Sequence, residues 1–229
     1  MAAGSGTRMG AEKPKQFLEL EGKAILQRTI EVFLAADPDI KVVVVLPDSH
    51  ISYWKDYCLV HNFNCPQILV KGGITRFHSV RNALAKVPDG ALVAVHDGVR
   101  PLVTVDFVRT MLEAAEEKPA LIPVIPCVDT MKVLRRKGEE LFEAEDETVD
   151  RSVLFAAQTP QIFHSEVLKD AYAQAYDTAF TDDASVVRKN GKNLSYLTGE
   201  RFNIKITTLD DLVLAKAILS LSRDGSSSL

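Results

Sequence analysis

A short run rich in glycine and basic residues near the start of the chain is its strongest indication of chemistry. The run is Ala3-Gly4-Ser5-Gly6-Thr7-Arg8-Met9-Gly10, and Lys13-Pro14-Lys15 follows it closely. Glycine lets the backbone approach a ligand and direct N–H groups at it, and the basic residues add positive charge beside those donors. This combination suits a polyanion such as a nucleoside triphosphate, although a surface turn with incidental charges would contain the same residues.

The run does not match two familiar nucleotide-binding motifs. A Walker loop requires G-x-x-x-x-G-K-[ST], which the chain does not contain. In the dinucleotide fingerprint G-x-G-x-x-G, the third glycine would come one residue earlier than Gly10. The chain also has no nucleophile elbow. We therefore expect nucleotide chemistry other than that of a P-loop ATPase, a dehydrogenase or a covalent hydrolase.

Other polar residues could act on phosphates, and each has an ordinary structural alternative. Asp97 could hold Mg²⁺ against triphosphate oxygens, or it could cap a helix or pair with Arg100. The turn Gly72-Gly73 could present helix N–H groups to an anion or simply join a strand to a helix. Lys205, Thr159 and Thr181 could contact phosphate oxygens or serve as surface and capping residues, and we expect His96 to be structural.

Alternating apolar runs predict the scaffold for these residues. Continuous runs at 41–47, 67–70, 91–95 and 120–125 indicate buried strands, and helical periodicity covers 25–34, 77–87, 105–115 and 209–221. This alternation predicts a doubly wound α/β sheet, in which ligands bind at the carboxyl ends of the strands. The glycine-rich loop, Gly72-Gly73 and His96-Asp97 should then share one rim.

The 229 residues fit a single domain, which we place at 1–222, followed by a disordered tail at 223–229. A polar stretch at 129–151, with a turn at Lys137-Gly138, is expected to protrude as a β-arm that packs on a second subunit.

The segment 203–207 alternates polar and apolar residues as a strand does. Because a glycine loop of this kind normally follows a buried strand, we also expect several apolar residues ahead of Met1.

Composition limits the classes of partner. A net charge of −4 argues against non-specific nucleic-acid binding. No apolar run approaches the roughly 20 residues that a membrane helix needs. The three cysteines lack C-x-x-C spacing, which indicates neither a disulfide framework nor a zinc site. We expect a cytoplasmic protein without nucleic-acid or membrane partners.

Eight short motifs occur in an order that resembles a known family. They are Ala2-Ala3-Gly4-x-Gly6-x-Arg8-Met9, Pro14-Lys15-Gln16, His96-Asp97-x-x-Arg100-Pro101, Asp129-Thr130-Met131-Lys132, Asp150-Arg151, Gln158-Thr159-Pro160-Gln161, Thr181-Asp182-Asp183-Ala184-Ser185 and Asn203-Ile204-Lys205-Ile206-Thr207. Together they resemble the 2-C-methyl-D-erythritol 4-phosphate cytidylyltransferases of the non-mevalonate isoprenoid pathway, from Ala2 to about Leu221. The resemblance implies a Rossmann-like nucleotidyltransferase sheet. It also implies a homodimer that uses CTP, 2-C-methyl-D-erythritol 4-phosphate and Mg²⁺, and releases pyrophosphate.

The resemblance also implies a role for individual residues. Arg8 and Lys15 are implied as the catalytic pair that stabilises the transition state, and Asp97 as the Mg²⁺ ligand. The implied nucleotide-binding residues are Ala2, Ala3, Gly4, Gly6, Gly73, Arg76 and Ser79. The implied contacts to the methylerythritol phosphate are Thr130, Arg151, Thr159, Thr181 and Lys205. Of these, Thr130 and Arg151 are expected from the arm of the partner subunit.

Two other functions stay open on the sequence alone. A cytidylyltransferase acting on ribitol 5-phosphate would share the scaffold, although 129–132 and 181–185 look more like the isoprenoid enzyme. A non-catalytic nucleotide-binding protein on this fold would bind without turnover. The presence of Arg8, Lys15 and Asp97 argues against that second alternative.

Overall fold

Helices and strands alternate through the first half of the chain in the computed structural model, which describes residues 1–4, 14–143 and 149–225. Single 3₁₀ turns lie at Lys15–Phe17 and Arg151–Val153. In chain order, the strands and helices are β1 (Glu19–Leu20), β2 (Lys23–Ala24), α1 (Ile25–Ala36), β3 (Val42–Leu46), α2 (Asp48–Val60), β4 (Gln67–Lys71), α3 (Arg76–Leu84), β5 (Leu92–Val95), α4 (Val105–Glu117), β6 (Ala120–Pro126), β7 (Leu134–Lys137), β8 (Glu140–Glu143), β9 (Phe155–Ala157), β10 (Gln161–His164), α5 (Ser165–Tyr172), α6 (Asp183–Lys189), β11 (Ser195–Thr198) and α7 (Leu209–Gly225).

The main strands form two groups. β3 and β4 pair in parallel, from Val42 opposite Gln67 to Leu46 opposite Lys71. The other group has the order β11-β6-β10-β5, with β9 also paired to β6. β11 is parallel to β6, whereas β10 runs antiparallel to both β5 and β6. The predicted α/β class is confirmed. The sheet also contains the antiparallel strand β10, which the sequence analysis did not predict.

The four predicted strands are confirmed as β3, β4, β5 and β6, and the predicted helices as α1, α3, α4 and α7. The strand predicted at 203–207 is wrong, because this segment forms no β-strand and has no β partner. It is tied to the core instead by a hydrogen bond of 2.9 Å from Ile206 N–H to Val99 O. Helix α7 continues to Gly225, and 226–229 lie outside the described residues, so the disorder of the tail at 223–229 stays a prediction.

Helices cover the strands with apolar side chains. Leu26 and Ile30 of α1 pack with Val44 and Leu46 of β3 in one buried cluster. A second cluster joins α3 with β5, β6 and β10, and a third places Ala215 and Ile218 of α7 against the start of α1. These contacts fix the carboxyl ends of β3, β4 and β5 at one edge. Within the described residues, no helix is long and apolar enough to cross a membrane.

The stretch predicted as an arm forms a hairpin on the surface. β7 and β8 pair antiparallel, and Gly138 makes the turn with a φ of 63° that favours glycine. All eight residues of the two strands are exposed. Residues 144–148 lie outside the described part of the chain. Packing of this hairpin on a second subunit stays a prediction.

Candidate active site

Asp97 lies in a cluster of charged groups just beyond the carboxyl end of β5. Its Oδ2 atom is 3.0 Å from Lys205 Nζ and 3.3 Å from Arg100 Nε. The Asp97 side chain is only 13% exposed, whereas that of Lys205 is 43% exposed. Within the described part of the chain, no hydrogen bond or ion pair uses Oδ1. Asp97 therefore keeps one carboxylate oxygen available to a ligand.

Neighbouring cations keep Asp97 ionised. Burial alone would raise the pKa of the Asp97 carboxyl, but the charges of Lys205 and Arg76 and the hydrogen bond from Lys205 hold that pKa well below its usual range. The cluster holds one carboxylate among several cations. Such a site favours a polyanion that brings its own negative charge.

A hydrogen-bonded network positions Asp97. The Asp97 backbone N–H donates to Thr159 Oγ1 at 3.1 Å, and the same hydroxyl lies 3.1 Å from His96 Nδ1. His96 Nε2 lies 3.1 Å from Arg100 O, which only accepts, so Nε2 carries the proton and Nδ1 accepts from Thr159. Burial lowers the pKa of His96 to about 3, which keeps the ring neutral. The expectation that His96 is structural agrees with these contacts.

Thr159 is held from the opposite side by Asn203. Asn203 Nδ2 donates to Thr159 O at 2.9 Å, and Arg100 Nη1 donates to Asn203 O at 2.7 Å. The segment before α7 is thereby joined to the turns after β5 and before β10. The Thr159 hydroxyl donates its one proton to His96 and accepts from the Asp97 N–H, which gives it a positioning role. Its contact to a substrate phosphate stays a prediction.

The double glycine after β4 forms a tight turn that only glycine fits. A Cβ on Gly73 would lie 2.4 Å from the Cβ of His78, and a Cβ on Gly72 would lie 2.8 Å from the Cβ of Ala3. The Gly73 N–H donates to Ser79 Oγ at 3.0 Å, and this hydroxyl donates to Thr75 O. The structure thus brings Gly73 and Ser79 together against the start of the N-terminal loop.

The first residues of the chain lie between the ends of β3 and β5. Ala2 N–H donates to Val45 O at 2.9 Å, and Gln16 Nε2 donates to Ala2 O at 3.1 Å. The predicted shared rim with Gly72-Gly73 and His96-Asp97 is confirmed for the described start of the glycine-rich loop, whereas residues 5–10 of that loop lie outside the described part of the chain. Lys15 lies beside Gln16 in the 3₁₀ turn, and Gly4 is exposed. Gly6 and Arg8 lie outside the described residues.

Arg76 is joined to a buried acid that the sequence did not single out as a site residue. The Arg76 guanidinium donates to Asp183 Oδ2, and Tyr172 donates to Asp183 Oδ1 at 2.6 Å. Burial would lower the pKa of Arg76, but the adjacent Asp183 charge raises it. The Asp183 side chain is 0% exposed, whereas that of Arg76 is 33% exposed. Arg76 can therefore reach solvent or a ligand while Asp183 holds it.

Gln161 anchors the turn that contains Thr181. Its Nε2 donates to Asp182 Oδ2 at 2.8 Å, and its Oε1 accepts from Ala184 N–H at 2.9 Å. Asp182 and Ser185 form a capping box at the start of α6. Thr181 is exposed and its N–H donates to Ser185 Oγ. Because Gln161 opens β10 directly after Thr159-Pro160, the turn lies at the same edge as Asp97.

Thr130 and Arg151 are not brought to this cluster within one chain. Both are exposed, and Arg151 Nη1 donates to Val128 O at 2.9 Å. In the part of the chain that the structure describes, no hydrogen bond or ion pair joins either residue to Asp97 or Lys205. Their role in a site shared with a second subunit stays a prediction.

Comparisons with known proteins agree on one family. The family model of 2-C-methyl-D-erythritol 4-phosphate cytidylyltransferase matches residues 1–221. The protein of that name from Phocaeicola vulgatus is 46% identical over 219 residues, covering 96% of this chain and 97% of the relative. Its counterpart from Bacteroides thetaiotaomicron is 44% identical over 219 residues, with the same coverage. The crystal structure of 4-diphosphocytidyl-2C-methyl-D-erythritol synthase from Anaerococcus prevotii has a TM-score of 0.76 and 26% identity, covering 96% of this chain and 95% of that one.

Proposed function

The chain belongs to the 2-C-methyl-D-erythritol 4-phosphate cytidylyltransferase family, and we propose which of its residues carry out the reaction. It is a nucleotidyltransferase that transfers the cytidylyl group from CTP to 2-C-methyl-D-erythritol 4-phosphate. The products are 4-CDP-2-C-methyl-D-erythritol and pyrophosphate, in a step of the non-mevalonate isoprenoid pathway. The contact between Asp97 and Lys205 at the rim carries our assignment of the site.

The reaction requires two anions to meet. An oxygen of the methylerythritol phosphate forms a bond to the α-phosphorus of CTP, and the bond from that phosphorus to the bridging oxygen of the leaving pyrophosphate breaks. A phosphate monoester is already an anionic nucleophile near neutral pH, so no general base is needed. Fixed cations offset the repulsion and stabilise the charge that develops on the α-phosphate and the leaving group. We assign this work to Arg8 and Lys15.

Two different sets of residues beside the Asp97 cluster would bind the two substrates. Ala2, Ala3, Gly4, Gly6, Gly73, Arg76 and Ser79 would bind CTP, with the glycine turn and the N-terminal segment offering backbone groups to the nucleotide. Lys205, Thr159 and Thr181 would position the methylerythritol phosphate. Support for this division comes from the exposed part of the Lys205 side chain, which a substrate phosphate can reach.

The residues at the rim fit Mg²⁺ held jointly with the triphosphate. Asp97 is an ionised carboxylate with Oδ1 unused by the described residues, and carboxylate oxygen is a ligand that Mg²⁺ prefers. Residues 1–4, 14–143 and 149–225 contain no group of three or more His, Cys, Asp or Glu side chains that could hold a metal alone. Mg²⁺ commonly combines one or two carboxylates with substrate phosphates. When bound, it would neutralise charge on the triphosphate.

A homodimer would complete the site. The hairpin of β7 and β8 exposes Leu134, Leu141 and Phe142, which a second subunit could cover. Thr130 and Arg151 lie at the base of this hairpin and, within one chain, make no contact with the described cluster around Asp97. We propose that each arm brings these two residues to the site of the partner. We also place the reaction in the cytoplasm, where nucleoside triphosphates are supplied.

A direct assay tests the function. Purified protein is incubated with CTP and Mg²⁺ together with 2-C-methyl-D-erythritol 4-phosphate, ribitol 5-phosphate or no acceptor, and pyrophosphate release is measured. We expect pyrophosphate release with 2-C-methyl-D-erythritol 4-phosphate as the acceptor. The Asp97→Asn variant should lose this release. Turnover with ribitol 5-phosphate alone would transfer the assignment to the pentitol enzyme. Binding of CTP without turnover of either acceptor would favour a non-catalytic protein.

A further inference from the structure

Asp183 is a fully buried acid without a role in the proposed reaction. Its side chain is 0% exposed, and both carboxylate oxygens are used, since Oδ2 accepts from the Arg76 guanidinium and Oδ1 accepts from Tyr172 at 2.6 Å. Taking a charge pair out of water is costly, and apolar residues of similar volume often give a fold of equal stability. Stability alone therefore does not explain an acid at this position.

On one side, Asp183 holds a residue that is assigned to the nucleotide. Arg76 begins α3 directly after Thr75, which caps the helix, and the Gly72-Gly73 turn comes just before. The charge of Arg76 also contributes to the low pKa of the Asp97 carboxyl, which places the guanidinium near that cluster. With 33% of its side chain exposed, Arg76 reaches from the buried acid to the rim where the triphosphate would bind.

On the other side, Asp183 belongs to the turn that carries Thr181. Thr181 is two residues before Asp183, and Phe180 immediately precedes Thr181. The Phe180 ring stacks on Phe77 with the ring centroids 5.5 Å apart, and Phe77 follows Arg76 in α3. An ion pair and a ring contact thus join both ends of this turn to two successive residues of α3.

The preceding acid anchors the same turn to a different element. Asp182 Oδ2 accepts from Gln161 Nε2 of β10 at 2.8 Å, whereas Asp183 pairs with Arg76 of α3. Loss of the Asp183 charge would leave the turn attached to β10 but without its ionic contact to α3. Arg76 and Thr181 would then lose their fixed position relative to each other.

We propose that Asp183 is a positioning residue for both substrates: it fixes Arg76 toward the nucleotide and, through the same turn, Thr181 toward the acceptor phosphate. The role rests on the proposed function, in which Arg76 binds CTP and Thr181 binds the methylerythritol phosphate. Because Arg76 and Asp183 are paired before a ligand binds, the guanidinium has already lost most of its rotamer freedom. One shared anchor also holds the nucleotide and acceptor contacts at a constant separation, which favours the geometry that transfer requires.

Asp183→Asn tests this role, because it removes the charge but keeps the shape and one oxygen acceptor. We expect the Kd for CTP with Mg²⁺, measured by calorimetry without an acceptor, to rise at least about 3-fold. The KM for 2-C-methyl-D-erythritol 4-phosphate at saturating CTP should rise by a similar factor, with a smaller change in kcat. Asp183→Glu, which keeps the charge, should recover part of both losses.

Tyr172→Phe is the matched control, because it removes the other hydrogen bond to Asp183 at the same buried position. It should lower Tm as Asp183→Asn does, but leave the Kd for CTP and the acceptor KM near the wild-type values. Arg76→Gln supplies a second check. In that background, Asp183→Asn should not raise the Kd for CTP further, whereas it should still raise the acceptor KM.

Wild-type values of both constants in Asp183→Asn would overturn the proposal. Equal rises in Asp183→Asn and Tyr172→Phe would also overturn it, because they would reflect loosened packing alone. If Asp183→Asn does not fold, Phe180→Leu loosens the same turn without removing the acid. It should raise the acceptor KM but not the Kd for CTP, and an unchanged acceptor KM would again overturn the proposal.

The wild-type protein, assayed alongside, separates this test from the proposed function. Absence of turnover in the wild type would refute the proposed function. The Kd for CTP in Asp183→Asn needs no turnover and would still test the contact between Asp183 and Arg76.

Discussion

Lys205 Nζ lies 3.0 Å from Asp97 Oδ2, so the segment before α7 supplies the nearest described cation to the carboxylate that follows β5. The contact keeps Asp97 ionised and fixes Lys205 at the rim. Its two partners are assigned to different ligands, since Asp97 would face the metal and the triphosphate while Lys205 would face the acceptor phosphate. Under this assignment, one ion pair would lie between the two substrates that must react.

Lys205→Met should weaken binding of the acceptor. The substitution keeps an apolar stem of similar length but would remove the proposed charge-assisted hydrogen bond to the phosphate, and a bond of this kind is worth about 1.5–3 kcal/mol. We expect the KM for 2-C-methyl-D-erythritol 4-phosphate to rise at least about 10-fold, with a smaller change in the KM for CTP. Lys205→Arg should recover part of the loss. Steady-state kinetics with each substrate varied in turn will show whether the acceptor KM moves; an unchanged value refutes the contact.

Lys15→Ala should act on the chemical step. Removing a positioned charge at the reacting phosphorus is expected to lower kcat by at least about 100-fold. Lys23→Ala is the matched control, because Lys23 pairs with Glu31 on an exposed surface and should leave kcat near the wild-type value. Single-turnover rates with saturating CTP provide the measurement. A near-normal kcat in Lys15→Ala would remove this residue from the mechanism.

The free energy of unfolding of the chain beginning at Met1 should rise between pH 6 and pH 8. Burial lowers the pKa of the Met1 ammonium from 8.0 to about 6, so the unfolded chain binds more protons across this window. The rise should be about 2–3 kcal/mol, since each pKa unit corresponds to 1.36 kcal/mol. Urea unfolding at several pH values measures it. The same chain with an acetylated amino terminus is the control, and an identical rise in both would contradict the assignment to Met1.

Asp183→Ala should destabilise the fold. It leaves Arg76 without its acid and Tyr172 without its acceptor, at a site where Asp183 is fully buried. We expect a loss of about 2–4 kcal/mol in the free energy of unfolding, reduced from the cost of a wholly buried pair because Arg76 is partly exposed. Asp48→Ala, which breaks an exposed pair with Lys71, should cost less than about 1 kcal/mol. Denaturant unfolding compares the two variants, and equal losses would argue against a structural role for Asp183.

Mixing Lys15→Ala chains with Arg151→Ala chains should restore activity. In a dimer with shared sites, each mixed pair has one site that contains both intact residues. Random pairing then gives about a quarter of the wild-type rate, well above either variant alone. Activity after mixing and re-equilibration of the subunits is the measurement. Mass measurement verifies that the subunits have exchanged. If activity is still not restored, each chain completes its own site.

Much of the rim could be predicted because its residues directly follow apolar strands. Asp97 comes after β5 and Gly72-Gly73 after β4, so the sequence order placed them at one edge. Asp183 could not be assigned in this way, because its partners Arg76 and Tyr172 are distant in sequence and meet only through packing of α3, α5 and α6. The 203–207 segment alternates like a strand but lacks a neighbouring strand, and alternation alone does not reveal a partner.

The hydrogen bond from Gln16 to Ala2 joins the two ends of the glycine-rich loop at its base. Bringing together the ends of a chain segment of about 14 residues costs roughly 2 kcal/mol in closure entropy, by (3/2)RT ln n. Ala2 is hydrogen-bonded to Val45 of β3, and Gln16 is hydrogen-bonded to Ala2. The entropy of closing this chain segment is therefore lost when the protein folds. The cost of bringing residues 2 and 16 together is therefore not charged to CTP binding, so more of the interaction energy with CTP stays available for affinity.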